Sequence, residues 1–254
     1  WSNWHNKPAI IFSISSRSHA KRMSPTKMQA AQFLPIRRLL LAMLSAAAVW
    51  SLCPSLARAG AYEDYFRAVA LDDAQTVTAL LKRGFDPNTI EGTRGDTGLI
   101  LAMREGSMKV FPVLLNARGI DLEQQARNGD TALMIAAFKA NMPAVQALLA
   151  KGAAVNKSGW SALHYAAASG DSEIVKVLIK QGADVDARSP NNTTPMMMAA
   201  RGGFIYSVKA LSDAGADASL KNDVGMSAID FARENGSNDI VEGLTYRLKK
   251  AGKL

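Results

Sequence analysis

Five heptapeptides recur along this chain at nearly constant spacing: TGLILAM (Thr97 to Met103), TALMIAA (Thr131 to Ala137), SALHYAA (Ser161 to Ala167), TPMMMAA (Thr194 to Ala200) and SAIDFAR (Ser227 to Arg233). Their first residues lie 34, 30, 33 and 33 positions apart. Each follows one pattern: Thr or Ser, a small residue, an apolar residue, a variable one, an apolar residue and Ala or its equivalent. A unit of about 33 residues is too short to bury a core alone, so such units must stack on their neighbours. That excludes a single globular core and points to a one-dimensional array.

The residues between the heptapeptides support the register. With n as the Thr or Ser position, Gly95, Gly129, Gly159 and Gly225 sit at n−2 and Asn192 in the remaining unit, all suited to a tight turn with positive φ. Gly106, Gly170, Gly203 and Gly236 at n+9 are placed to end a short first helix. A second helix then carries apolar residues at n+14, n+17 and n+18, as in Val145, Leu148, Leu149 and Val175, Leu178, Ile179, which is one helix face. Gly84, Gly152, Gly182 and Gly215 at n+21 mark its end. An irregular first unit fits the frame with Glu63 at n, as expected of a terminal repeat that meets water on one side. Ala140 replaces Gly at n+9, an extra residue lies in 116–119, and the spacing of 30 implies a hairpin three residues short before Ser161.

These motifs, close to Thr-Pro-Leu-His-x-Ala at a period of 33, resemble the ankyrin-repeat family over roughly residues 62–254. The resemblance implies an all-α solenoid of stacked helix-turn-helix units joined by short β-hairpins, about six units including both caps, across 60–254. It also implies that function is protein binding, without catalysis or cofactor.

Residues before 60 read differently. Of the 30 Lys and Arg, eight lie in residues 1–59 against no Asp or Glu, so the rest of the chain carries 22 of each sign. The formal net charge of +8 therefore says nothing for nucleic-acid binding by the repeats. Within 28–59, Arg37 and Arg38 precede the apolar run from Leu39 to Leu52, and Ala57-Arg58-Ala59 supplies a small-x-small site. This is the three-part pattern of a secretory signal peptide, with a mature start at Gly60 and a periplasmic or secreted product. Fourteen apolar residues span roughly 21 Å as a helix, short of a bilayer core, so no membrane association is expected after cleavage. Residues 1–27 read as an upstream extension, with Met23 or Met28 as the start.

The chemistry available for catalysis is sparse. Cys53 is the one cysteine, and His164 the one histidine after residue 59. At the family's Thr-Pro-Leu-His position, His164 is expected to hydrogen-bond to backbone. Ile100, Met134, Met197 and Asp230 occupy the equivalent places, so the position reads as helix packing. Lys157-Ser158 lacks the glycine that precedes a P-loop lysine. The aspartates at 184, 186, 213 and 217 lack a calcium-loop pattern and read as solvated carboxylates. Met196 to Met198 reads as core rather than as a copper site.

What remains is a surface. The resemblance places partner contacts on the concave face, at n−4, n−3, n−1, n+7 and n+8. In the second and third units these include Arg94, Arg104, Arg127, Asp130, Phe138 and Lys139. Further along they include Lys157, Trp160, Asn191, Arg201 and Met226. Phe138 and Trp160 are the large aromatics among them, and the basic residues around them imply an acidic, apolar-anchored partner. The expectation is a monomer that binds one protein. The alternatives are an inhibitor or immunity protein, or an accessory factor, of an envelope enzyme.

Overall fold

Each repeat begins where a Thr or Ser leaves extended backbone and enters a helix. In the computed structural model, which describes residues 60–253, twelve helices follow one another in pairs. They are α1 (60–70) with α2 (Ala74–Lys82), α3 (Gly98–Glu105) with α4 (Val110–Leu115), and α5 (Ala132–Phe138) with α6 (Met142–Ala150). Then come α7 (Ala162–Ser169) with α8 (Ser172–Lys180), α9 (Pro195–Arg201) with α10 (Ile205–Asp213), and α11 (Ala228–Glu234) with α12 (Asn238–Lys250). The first helices α3, α5, α7, α9 and α11 pack successively on one another, and the second helices form a layer behind them. The leader at 28–59 and the extension before it lie outside the described residues. Among the described residues no helix is long and apolar enough to cross a membrane.

The hairpins differ from expectation. Among the described residues the backbone forms a single isolated antiparallel bridge, Ile90 with Thr97, and no strand. The other full-length connections are tight turns: Ala126 N–H bonds Asp130 O at 2.9 Å, Ser189 to Thr193 at 3.0 Å, and Asn222 to Met226 at 3.0 Å. Too few residues flank each turn for a ladder to extend.

The heptapeptide is a capping device. Thr97, Thr131, Thr194 and Ser227 each accept, through the side-chain oxygen, the N–H three residues on, at 3.3–3.4 Å. The return bond adds a second role to position n+3, which is otherwise packed as expected. Met134 Sδ accepts the N–H of Thr131, Met197 Sδ that of Thr194, His164 Nδ1 that of Ser161 and Asp230 Oδ2 that of Ser227. Chemically unlike side chains share one role, an acceptor for an otherwise orphaned donor.

Positive φ appears where the repeat needs it. Ala140 takes φ 54° in the place of the n+9 glycines, a conformation that crowds its Cβ, while Asn192 takes φ 57° in place of an n−2 glycine. Gly98 stands where other units have Ala or Pro because Tyr65 fills the space: a Cβ there would lie 2.1 Å from the Tyr65 hydroxyl. Tyr65 is fully buried, donates to Pro87 O at 3.2 Å, and with Phe66 and Phe85 closes the N-terminal end of the core.

Stacking is driven by the apolar faces. Val145, Leu148, Val175, Leu178 and Leu163 are all but fully buried, each worth about 1.5–3 kcal/mol against exposure. Polar cross-links set the spacing of units. At n+25, or one later in the unit with the extra residue, Asn88, Glu123, Asn156 and Asp186 each accept a backbone N–H of the following unit at 2.8–2.9 Å. Of the loop acids read as solvated, Asp186 is engaged in this way, while Asp184 and Asp213 are exposed. Asp217 is also held well below the carboxylate range, to about 2, chiefly by Lys253 at 2.7 Å and then Ser219.

Candidate functional site

The helices α5, α7 and α9 lie side by side, so residues at n+4 and n+7 from three units meet between them. A cavity of about 250 Å³ opens there, lined by Phe138, Trp160, His164, Tyr165, Ala168 and Met198. Phe138 ends α5, half exposed, with its ring edge-on to Tyr165 at 6.0 Å. Trp160 comes from the short hairpin and stands edge-on to the His164 ring at 5.3 Å.

Each wall is fixed from behind. His164 is fully buried: Nδ1 accepts the Ser161 N–H at 3.2 Å, so Nε2 carries the proton and donates to Thr193 O of the next unit at 2.9 Å. Burial holds its pKa below the ordinary histidine value, so the ring is neutral and couples two units. The Tyr165 hydroxyl donates to Asp130 Oδ1. Burial first, and then the Asp130 carboxylate, push that hydroxyl far above the ordinary tyrosine value.

Asp130 does not face a partner. It is 2% exposed, and its other oxygen takes Arg104 at 2.9 Å and Asn128 at 2.7 Å. Arg104 also reaches the fully buried Asp96 at 3.1 Å, and Arg94 contacts Asp96 at 3.0 Å and Glu105 at 3.7 Å. Arg94, Arg104, Asp96 and Asp130 thus form one ion network across the second and third units, and Tyr165 ties it to the fourth. Arg127 is likewise occupied: its guanidinium donates to Thr93 O at 2.8 Å and Gly92 O at 2.6 Å, clamping the preceding hairpin.

The remaining expected contacts divide. Lys139 and Arg201 are exposed and Lys157 is partly so, and none is in an ion pair among the described residues. Asn191 is exposed, with its carbonyl accepting the Asp223 N–H at 3.1 Å, and Met226 belongs to the last hairpin. Neither lines the cavity. Tyr165 and Met198, which do, were missed because n+4 reads as core from Leu101 and Ile135, both buried. Three residues back from Ala168, at the contact position n+7, lies Tyr165 on the same helix face.

Elsewhere, a shallower depression of about 650 Å³ lies between 212–218 and the end of α12. Its Lys253 and Arg247 are already paired, with Asp217 and Asp213.

Comparison with known sequences agrees with this architecture. The family described as ankyrin repeats (three copies) matches residues 66–138 and again 109–189. The chain is an ankyrin-repeat protein. It is 31% identical over 160 residues to the human transient receptor potential cation channel subfamily A member 1, covering 59% of this chain and 14% of the channel subunit. It is 30% identical over 178 residues to the mouse B-cell lymphoma 3 protein homolog, covering 67% of this chain and 40% of that protein. To the human neurogenic locus notch homolog protein 1 it is 34% identical over 123 residues, 47% of this chain and 5% of the relative. The ankyrin chain spans 40% or less of the length of these relatives. What it shares with them is the interaction module, and ankyrin repeats as a class bind proteins rather than catalyse reactions.

Proposed function

We propose that this ankyrin protein binds one protein partner on the face made by its first helices and hairpins, with the Phe138–Trp160–Tyr165–Met198 groove as the centre of contact. The observation that carries this reading is the groove itself: Phe138, Trp160, Tyr165 and Met198, each at least partly exposed, converge from three adjacent units to line one cavity. Aromatic anchors set in a pocket account for most of the energy in protein interfaces. Capture of a partner from an extract of the source cells should be lost with Phe138→Ala and retained with Lys180→Ala, which lies on the second-helix side. Equal capture by both variants would move the interface off this groove.

Export is part of the same reading. It is supported by the confinement of excess positive charge and of a 14-residue apolar run to residues 1–59. Intact mass of the protein recovered from outside the cytoplasm should correspond to a start at Gly60. Retention of residues 28–59 in that mass would end the proposal. A partner that is an envelope enzyme, with activity changed on binding, would make the protein an inhibitor or accessory factor.

A further inference from the structure

The occupant of the groove follows from its size and from the charge around it, given the reading of the groove as the binding site. A dry cavity of ~150 Å³ lined by apolar side chains takes up a benzene ring. The space between Phe138, Trp160, Tyr165 and Met198, about 250 Å³, therefore accommodates one bulky apolar side chain with little room for a second. Two of the wall's polar side chains are already engaged, since His164 Nε2 donates to Thr193 O and the Tyr165 hydroxyl to Asp130.

The first-helix ends and hairpin tips of the units that line the groove carry one sign. In the third to fifth units, positions n+7 and n+8 read Phe138-Lys139, Ala168-Ser169 and Arg201-Gly202, with no acid among them. The hairpin tips at n−4 to n−1 read Arg-Asn-Gly-Asp, Lys-Ser-Gly-Trp and Pro-Asn-Asn-Thr. Their one acid, Asp130, is buried against Arg104 and Tyr165. Lys139, Lys157 and Arg201 are left without a counter-charge, and Arg127 keeps its formal charge because carbonyls, not a carboxylate, hold it.

We infer that the groove takes a single Phe-, Trp- or Leu-sized side chain from an acidic segment of the partner, whose carboxylates lie over Lys139, Lys157 and Arg201. Asp130 does not oppose such a segment, because it is buried, its charge is paired with Arg104 and it takes the Tyr165 hydroxyl.

Selection of short random peptides on the immobilised full chain tests this directly. Enriched peptides should carry several Asp or Glu around one large apolar residue. A fluorescein-labelled representative, followed by anisotropy, should bind about tenfold or more weakly to Phe138→Ala and Trp160→Ala. Charge reversal at Lys139 and Arg201 together should weaken it by a similar factor and flatten its salt dependence. Phe138→Ala decides the matter if Trp160→Ala disturbs the fold, because Phe138 is already half exposed. Enrichment of basic or neutral peptides, acidic peptides indifferent to Phe138→Ala, or no enrichment at all would each overturn the inference. If the natural partner still requires Phe138 in that event, the groove remains the binding site and only the acidic occupant falls.

Discussion

The hairpin that carries Gly129 and the one that carries Gly159 occupy equivalent places in adjacent repeats, yet the stack treats them differently. The first is full length. Its turn closes through Ala126 and Asp130, its backbone bonds the preceding hairpin from Arg127 N–H to Arg94 O at 2.9 Å, and the Arg127 side chain adds two more bonds. The second is three residues shorter, and among the described residues no backbone bond joins it to either neighbouring hairpin. At n−1 the first presents Asp130, turned inward, while the second presents Trp160, left partly exposed. Deleting three residues from a repeat thus does not merely trim a loop. The short hairpin lacks the backbone bonds of its neighbour and presents an aromatic side chain at the place where that neighbour presents a sealed carboxylate.

The sharpest way to break this contrast is to cut the locked side. Asp130→Ala leaves Arg104 with a single buried acceptor and Tyr165 with none, and should cost about 3 kcal/mol in denaturant unfolding. A cost no larger than that of Lys180→Ala, within ~0.5 kcal/mol, would show that the ion network does not hold the units together.

On the open side the larger effect should be on binding. Trp160→Ala is expected to cost roughly 2 kcal/mol or more in partner affinity, measured by calorimetry. Trp160 is the one tryptophan after residue 59, so an emission shift on adding partner reports the same contact. No shift and no affinity change would place Trp160 among residues that only pack.

His164 links the short hairpin's repeat to the next, and its neutrality makes that link sensitive to acid. The folded state holds its pKa below the ordinary value of about 6.5, so protonation favours the unfolded chain. The contribution is fully present above that pH and is lost as pH falls toward the lowered folded value, with a slope of at most about 1.4 kcal/mol per pH unit. His164→Gln should flatten stability against pH in that window, read from urea titrations, and a profile unchanged by the substitution would assign the acid sensitivity to other groups.

The smallest effect concerns Ala140, which joins the two helices of the repeat immediately before the short hairpin. At φ 54° it takes the left-handed conformation that four of its five counterparts fill with glycine and the first unit with Asp72, and Ala140→Gly should stabilise by about 0.5–1 kcal/mol in thermal melts. Destabilisation instead would mean that its methyl group packs better than its backbone suffers.

Sequence periodicity made the helical stack legible: the helix starts, the turn positions, the buried faces and the irregular connection before Ser161, though the expected β-hairpins formed as tight turns. These depend on requirements within one repeat, such as a cap oxygen for a nearby N–H or a glycine where φ is positive, and local requirements leave local patterns. The site was legible only in part. Phe138 and Trp160 stood out as large aromatics at contact positions, whereas Arg104 and Asp130 looked equally eligible and are paired within the fold, and the exposed Arg127 is held by backbone carbonyls. Their partners, Asp96, Gly92, Thr93 and Tyr165, lie 8 to 35 residues away and meet them through helix packing and hairpin stacking. No pattern within a repeat records whether a charge is spent on the next repeat or left for another molecule. That decision is made by contacts between repeats, which exist only once the stack has formed.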